Sequence, residues 1–307
     1  VAILATLFGL ATSLGLGASQ AASGFNFLFG WDEGNTTQVL LVIGITAVAL
    51  VSVLAGLESG VQRLSQINMT LAALLMLFVI IVGPTVAILT GFVDNLYNYI
   101  VNLPALSNPV GREDLNYSQG WTSFYWAWWI AWSPFVGMFI ARVSRGRTVR
   151  EFLVSVLLIP SLACVFWMSV FGTAAIEQFL AGAEEVANVD LSLQLFVMLE
   201  GLPWTGITSF IGIILVMVFF ITSSDSGSLV IDTISAGGKV EAPVPQRVFW
   251  CTFEGLVAIA LILGGGLVAL QAMAVSAGLP FTIVLLAASV ALVQGLRSEP
   301  RVGKTTK

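Results

Sequence analysis

The chain contains no histidine. Any proton transfer must therefore use a carboxylate, and no imidazole is available to hold a metal. Cysteine is nearly as scarce: Cys164 and Cys251 fall in separate apolar segments with no CxxC spacing, which argues for two small core residues rather than a disulfide or a metal site. Only 9% of the 307 residues are charged while 57% are hydrophobic, and the mean hydropathy is +0.96. A soluble domain of this length cannot be covered with that composition. No GxxxxGK[ST] run is present, so the chain brings no phosphate loop for ATP-driven work. An enzyme buried in the membrane is disfavoured for want of a nucleophile and base pair, and no nucleic-acid partner is expected.

What remains is apolar length. Stretches long enough to cross a bilayer lie at roughly residues 1–22, 37–57, 67–91, 121–142, 151–176, 206–235, 247–264 and 267–296. The expected fold class is an all-α polytopic membrane protein with about eight spans. If the spans alternate, Arg63, Arg142, Arg145, Arg147, Arg150, Lys239, Arg247, Arg297, Arg301, Lys304 and Lys307 fall on one side and Arg112 alone on the other. That asymmetry predicts an inner-membrane protein with both ends of the sequence cytoplasmic. Most acids lie on the opposite side, so the net charge of −5 is a property of the loops.

Within this frame, Phe92, Leu96, Tyr99, Ile100 and Leu103 recur at helical spacing inside Gly91–Gly120 while Asp94, Asn95 and Asn98 face away, which predicts an amphipathic helix along the outer surface. Gly264-Gly265-Gly266 divides an apolar run too long for one span and predicts a tight turn. Pro160 and Pro280 stand inside spans, where neighbouring helices can satisfy the freed carbonyls. The first span is rich in small residues, Gly9, Ala11, Ser13, Gly15, Gly17, Ala18 and Ser19, which read as positions of close helix approach. The arginines of 142–150 are expected to pair with Glu151 or with lipid.

The densest feature is Gly120–Gly137, which holds five tryptophans, a tyrosine and a proline. Trp121, Tyr125, Trp128, Trp129 and Trp132 fall within about 100° of one face at about 100° per residue. Such a face suits a cation that carries no hydrogen-bond donor, because a desolvated ring attracts it by about 2 kcal/mol or more through its quadrupole. Trp126 points elsewhere and is expected to pack. A second polar feature is Thr222-Ser-Ser-Asp-Ser-Gly-Ser228, costly at depth unless paired, with Asp225 its carboxylate.

The run Trp-Thr-x-Phe-Tyr-Trp-Ala-Trp-Trp-Ile-x-Trp-Ser-Pro-Phe-Val-Gly-x-Phe-x-Ala-Arg-x-Ser-Arg-Gly-Arg-Thr-x-Arg-Glu-Phe, from Trp121 to Phe152, closely resembles the signature of betaine/choline/carnitine transporters. Phe219–Ser228, Gln246–Trp250 and Leu270–Phe281 extend the resemblance over essentially the whole chain. It implies part of a LeuT-like fold of two inverted five-helix repeats, here lacking two peripheral helices and the first two helices of repeat one. Residues 1–91 would then be three helices ending repeat one, 92–120 a periplasmic linker, 121–296 the five helices of repeat two, and 297–307 a cytoplasmic tail.

The resemblance also implies a function: ion-coupled import of a quaternary ammonium solute, choline or glycine betaine, by alternating access, in a protein without a cofactor that is a homotrimer in its relatives. Proton-coupled or exchange transport of carnitine-like or other compatible solutes is the alternative, and a channel or an osmolality sensor the reading from another class. Trp129 would close an aromatic box on the ammonium group, other rings coming from a span outside this sequence. Trp128, Trp132, Phe124 and Tyr125 would line the substrate path, Phe139 would gate it, and Ser13 would touch substrate from the first span. Thr222 and Ser223, with the Phe219 carbonyl, match a sodium site. A second sodium site would need a hydroxyl where Leu10 follows Thr6, which implies one sodium fewer or coupling to protons.

Overall fold

The computed structural model describes residues 1–55, 62–239 and 243–298, apart from the side chains of Ala55, Arg142 and Val143. Among the described residues all regular structure is helical. The long elements are α1 (Ala2–Phe29), α2 (Asn35–Ala55), α3 (Gln62–Val82), α4 (Thr85–Ser107), α5 (Phe124–Val143), α6 (Val149–Leu180), α9 (Thr205–Ser235) and α10 (Val244–Ser298). Short helices α7 (Glu185–Asn188) and α8 (Gln194–Glu200) fill the connection into α9, and a π-helical stretch, Asn116–Ser123, leads into α5.

Six of these helices, α1, α2, α3, α6, α9 and α10, are long and apolar enough to cross a membrane. Two differences separate that number from the eight expected spans. Helix α10 is two spans joined, broken where expected: Gly265 and Gly266 leave helical geometry, and Gly266 takes φ 58 and ψ −136, which only glycine adopts readily. Helix α5 is long enough, but its indole and phenol rings lower its hydropathy below that of an aliphatic span. The third expected span also ends early. Gly83-Pro84 closes α3, because proline offers no amide hydrogen to continue the ladder. Residues 85–91 belong instead to α4, where the Thr85 hydroxyl donates back to the Ile80 carbonyl at 2.5 Å.

Helix α4 takes in the segment expected to be amphipathic, and α6 packs against its beginning. Phe92 meets Phe166 of α6 edge-on at 5.3 Å, whereas Tyr99, Ile100 and Leu103 are exposed. The segment that follows is tied down by Arg112, which donates to the Ala105 and Leu106 carbonyls at 3.1 and 2.9 Å and pairs with Asp114. That hydrogen bond holds the Asp114 carboxyl below the usual carboxylate range. Glu151 caps the start of α6, and its carboxylate also feels the charge of Arg147 in the basic loop. It accepts the Thr148 amide at 3.0 Å while its own amide donates to the Thr148 hydroxyl at 3.2 Å. Arg301, Lys304 and Lys307 lie outside the described residues.

Helix α1 is the centre of the bundle, packed by α2, α5, α9 and α10. Its small residues make that possible. A side chain at Gly9 would meet Trp132 and Ala131 of α5, at Gly15 Leu270 of α10, at Gly17 the Phe220 ring of α9, and at Gly24 Phe196 and Ile213. The Thr12 hydroxyl reaches the Leu270 carbonyl at 2.9 Å, bonding across one of these crossings. One apolar cluster joins α1, α2, α9 and α10 around Leu14, Ile45, Cys251, Ile262 and Leu270. A second joins α3, α4, α6 and α8 around Val79, Ile88, Val170 and Leu199.

Gly17→Val should therefore cost at least about 1–3 kcal/mol by overpacking against Phe220, read as a fall in thermal stability of the detergent-purified protein. Gly44→Ala, where an added methyl meets nothing within 4 Å, should change stability little. Equal effects would mean that α1 and α9 do not approach as described.

Candidate functional site

Between α1, the π-helical stretch, α5, α9 and the break in α10 lies a cavity of about 520 Å³, within the roughly 300–1,000 Å³ usual for small-molecule sites. Trp121, Phe124, Tyr125 and Trp128 form one wall, and Phe220 of α9 stands among the facing residues. Polar contacts come from Ser19, Gln20, Gln38 and Gln271. Among the described residues Asp190, before α8, is the one charged residue of the lining. Ring faces with a single carboxylate and no basic group favour a cationic or zwitterionic guest over an anion.

The rings hold one another. Phe124 stacks on Trp128 with centroids 5.2 Å apart, Tyr125 lies 5.7 Å from Trp128, and Trp121 lies 6.0 Å from Tyr125. Trp128 is fixed further by its indole nitrogen, which donates to the Ser13 hydroxyl at 3.0 Å and lies 3.3 Å from the Gly9 carbonyl. Ser13 in turn donates to the Gly9 carbonyl at 3.0 Å. Its hydroxyl is thus occupied and its side chain buried, and it is absent from the cavity lining. In this structure Ser13 positions Trp128, whereas the sequence suggested direct contact with substrate.

The aromatic face anticipated as one surface is divided, because α1 packs against its centre. Trp121, Tyr125 and Trp128 line the cavity. Trp132 lies half-buried toward Gly9 and meets Phe135 edge-on at 5.5 Å. Trp129 is 63% exposed and shares a shallow outer groove with Tyr125, Ser133 and Trp126, itself 66% exposed. Trp129 and Trp126 are thus alike in exposure. A uniform wheel also fails at residues 116–123, where π-helical geometry changes the angle per residue ahead of Trp121. Phe139 is exposed near the other end of α5 and lines neither the cavity nor that groove.

On α9, the Thr222 hydroxyl donates to the Phe219 carbonyl at 2.9 Å, so two oxygens of the anticipated sodium site lie side by side. Ser223 beside them is half-buried. None of the three lines the cavity, yet the adjacent Phe220 does, so one helix carries both features. Asp225 faces inward and is held by serine hydroxyls. Phe220, Gln20, Gln271 and Asp190 were not singled out from the sequence. Gln20 and Gln271 carried a usable signal, since an amide inside an apolar span is costly without a purpose.

The sequence matches the profile of the family described as betaine/carnitine/choline family transporter over residues 1–301. It is 71% identical to a glycine betaine/proline/choline transporter of Vibrio parahaemolyticus, over 98% of this chain and 55% of that protein. It is 55% identical to a glycine betaine transporter of the same organism, over 97% of this chain and 58% of that protein. With a glycine betaine transporter of Bacillus subtilis the identity is 44%, over 98% and 59%. The chain thus spans a little over half the length of these relatives.

Ser13→Ala should remove the better acceptor of the Trp128 indole and lower thermal stability by about 0.5–1.5 kcal/mol. Thr90→Ala, where an exposed hydroxyl bonds only to its own helix, should cost less. A Ser13→Ala protein as stable as the parent would show that Trp128 is not anchored through Ser13.

Proposed function

The chain belongs to the betaine/carnitine/choline transporter family, and on that premise we propose that it forms the greater part of a secondary transporter importing a quaternary ammonium solute, choline or glycine betaine, by ion-coupled alternating access. The observation that carries this reading is the cavity itself: Trp121, Phe124, Tyr125 and Trp128 on one wall with a lone carboxylate, Asp190, in the lining. A trimethylammonium group donates no conventional hydrogen bond, so it is selected by desolvated ring faces rather than by polar partners. The amides of Gln20 and Gln271 are suited to the hydroxyl of choline or the carboxylate of betaine.

In this reading Trp129 meets the solute in the shallow groove that shares Tyr125 with the cavity, and Trp132 and Phe139 continue the path toward the cytoplasm. Sodium travels as a co-substrate. The Thr222 and Ser223 hydroxyls with the Phe219 carbonyl are its proposed ligands, hard neutral oxygens that bind weakly enough to release it. The broken α10 and the glycine crossings of α1 supply surfaces on which helices can shift between access states. The proposed setting is the inner membrane, both ends of the sequence cytoplasmic, in a homotrimer.

Two measurements test this. With labelled choline and glycine betaine in proteoliposomes, Trp128→Ala and Trp129→Ala should each raise the apparent Km at least about tenfold, because a desolvated cation–π contact of about 2 kcal/mol exceeds the roughly 1.4 kcal/mol of a decade. Trp126→Ala should do much less; equal effects of Trp126→Ala and Trp129→Ala would remove Trp129 from the site. Thr222→Val combined with Ser223→Ala should abolish sodium dependence. In the parent protein, uptake against sodium concentration should be hyperbolic with a Hill coefficient near one, since Leu10 offers no oxygen. A coefficient approaching two, or indifference to sodium, would overturn that assignment.

A further inference from the structure

Helices α2, α9 and α10 meet at a junction where polar side chains face one another inside an apolar shell. Asp225 and Glu254 both lie there with 0% exposure, although they stand in different spans of the sequence. Their environments differ. Asp225 accepts a hydrogen bond on each carboxyl oxygen, from the Ser52 hydroxyl at 2.7 Å and the Ser226 hydroxyl at 2.9 Å. Glu254 Oε2 meets the Ser228 hydroxyl at 3.1 Å, the Ser224 hydroxyl lies within bonding reach of the carboxyl group, and Oε1 has no partner.

The direction of the Ser228 contact is decided by hydrogen count. A serine hydroxyl carries one hydrogen, and the shorter contact of Ser228, at 2.6 Å, is to the Ser224 carbonyl, which can only accept. With that hydrogen directed to the carbonyl, the contact between Ser228 Oγ and Glu254 Oε2 is a hydrogen bond only when the carboxyl group carries a proton to donate. Glu254 is then a neutral acid donating to Ser228.

Among the described residues no base stands by to neutralise an ionised Glu254. Helices α1 and α2, both packed on α10, contain no charged residue. Helix α5, also packed on α10, carries no ionisable group between Trp126 and Ala141; its Tyr125 lies at the cavity. Helix α9 presents Asp225 and, nearer its end, Asp232. Helix α10 itself contributes Cys251 and Arg247, and the Arg247 guanidinium pairs with Asp232 at 3.2 Å. A carboxylate so placed takes up a proton rather than remain an uncompensated charge.

The surroundings can also accommodate loss of that proton. Ser224, on the α9 turn before Ser228, is buried with its hydroxyl oxygen unpartnered and close enough to Glu254 to bond it. The Thr46 hydroxyl of α2 is likewise buried and unpartnered, against Gly255 beside Glu254. The Ser224 hydroxyl can turn its hydrogen toward an ionised carboxylate without breaking a bond already made. Helix α9 connects this junction to Phe220 in the cavity wall and to Thr222 and Ser223.

We propose that Glu254 is a proton-binding site of the transport cycle, occupied while α2, α9 and α10 pack as described and vacated when that junction opens. The proposal rests on the transport reading above and adds a second coupling ion at a different place from the sodium ligands.

The test uses the intact transporter in proteoliposomes with equal sodium on both sides. Infrared spectroscopy should show a protonated-carboxyl stretch that disappears in Glu254→Gln and moves in frequency in Ser228→Ala. An inside-alkaline gradient should raise choline uptake at least about threefold in the parent protein and leave uptake by Glu254→Gln unchanged, with choline affinity read separately by tryptophan fluorescence. Absence of the band from the parent, or its survival in Glu254→Gln, overturns the protonation. A band that behaves as expected while the gradient acts equally on parent and Glu254→Gln overturns the role in the cycle. If Glu254→Gln does not fold, Ser228→Ala decides: a parental band and a parental pH midpoint of uptake overturn the proposal. Failure of the transport reading looks different, since the parent would then keep the band yet bind neither choline nor glycine betaine.

Discussion

Close backbone approach along α1 is the constraint on which the rest of the structure depends. Four helices can cross one helix only if its side chains are short where they cross. Gly9 faces α5, Gly15 faces α10, Gly17 faces α9, and Gly24 faces α8 and α9. Inside a bilayer lipid tails are as apolar as leucine, so burial alone does not drive helices together; contact area and inter-helix hydrogen bonds do. The Thr12 bond to the Leu270 carbonyl and the Trp128 bond to Ser13 are of that kind. Each forms at a crossing where small neighbours bring the backbones near.

The cavity follows from the same geometry. Because α1 occupies the middle of the aromatic face of α5, the rings are sorted by it, three lining the cavity from their side of the contact and Trp129 left on the outer surface. Phe220 reaches the same space because Gly17 opposite it has no side chain to exclude its ring. Gly266 ends the first half of α10 at the cavity wall. Packing and recognition therefore share residues, and a change to α1 is expected to disturb both.

Polar groups at depth are arranged so that nearly every charge is answered. Asp232 meets Arg247, Asp225 meets two hydroxyls, and Arg112 outside the helices meets Asp114 and two carbonyls. Among the described residues Glu254 differs in having neither a charged partner nor a hydroxyl on each oxygen, and like Asp232 it keeps one carboxyl oxygen unpartnered. A group of this kind in a membrane helix is where bound protons are to be sought, and it packs against α9, the helix that also brings Phe220 to the cavity wall.

Much of this was legible in the amino-acid order. Apolar length alone marked the helices, with α9 predicted to within one residue of its start; the triple glycine marked the break in α10; and the small residues of the first span marked its crossings. These are local properties, written in hydrophobicity and in the backbone demands of glycine and proline. The end of α3 was misjudged because an apolar run continues through Gly83-Pro84 into α4, and hydropathy does not register a missing amide hydrogen. Which aromatics face the cavity, that Ser13 bonds Trp128, and that Glu254 lies beside Ser228 were decided only by tertiary structure. Each depends on how one helix is rotated and set against another. In an all-apolar bundle that rotation is governed by steric fit between distant segments, which periodicity along a single helix cannot encode.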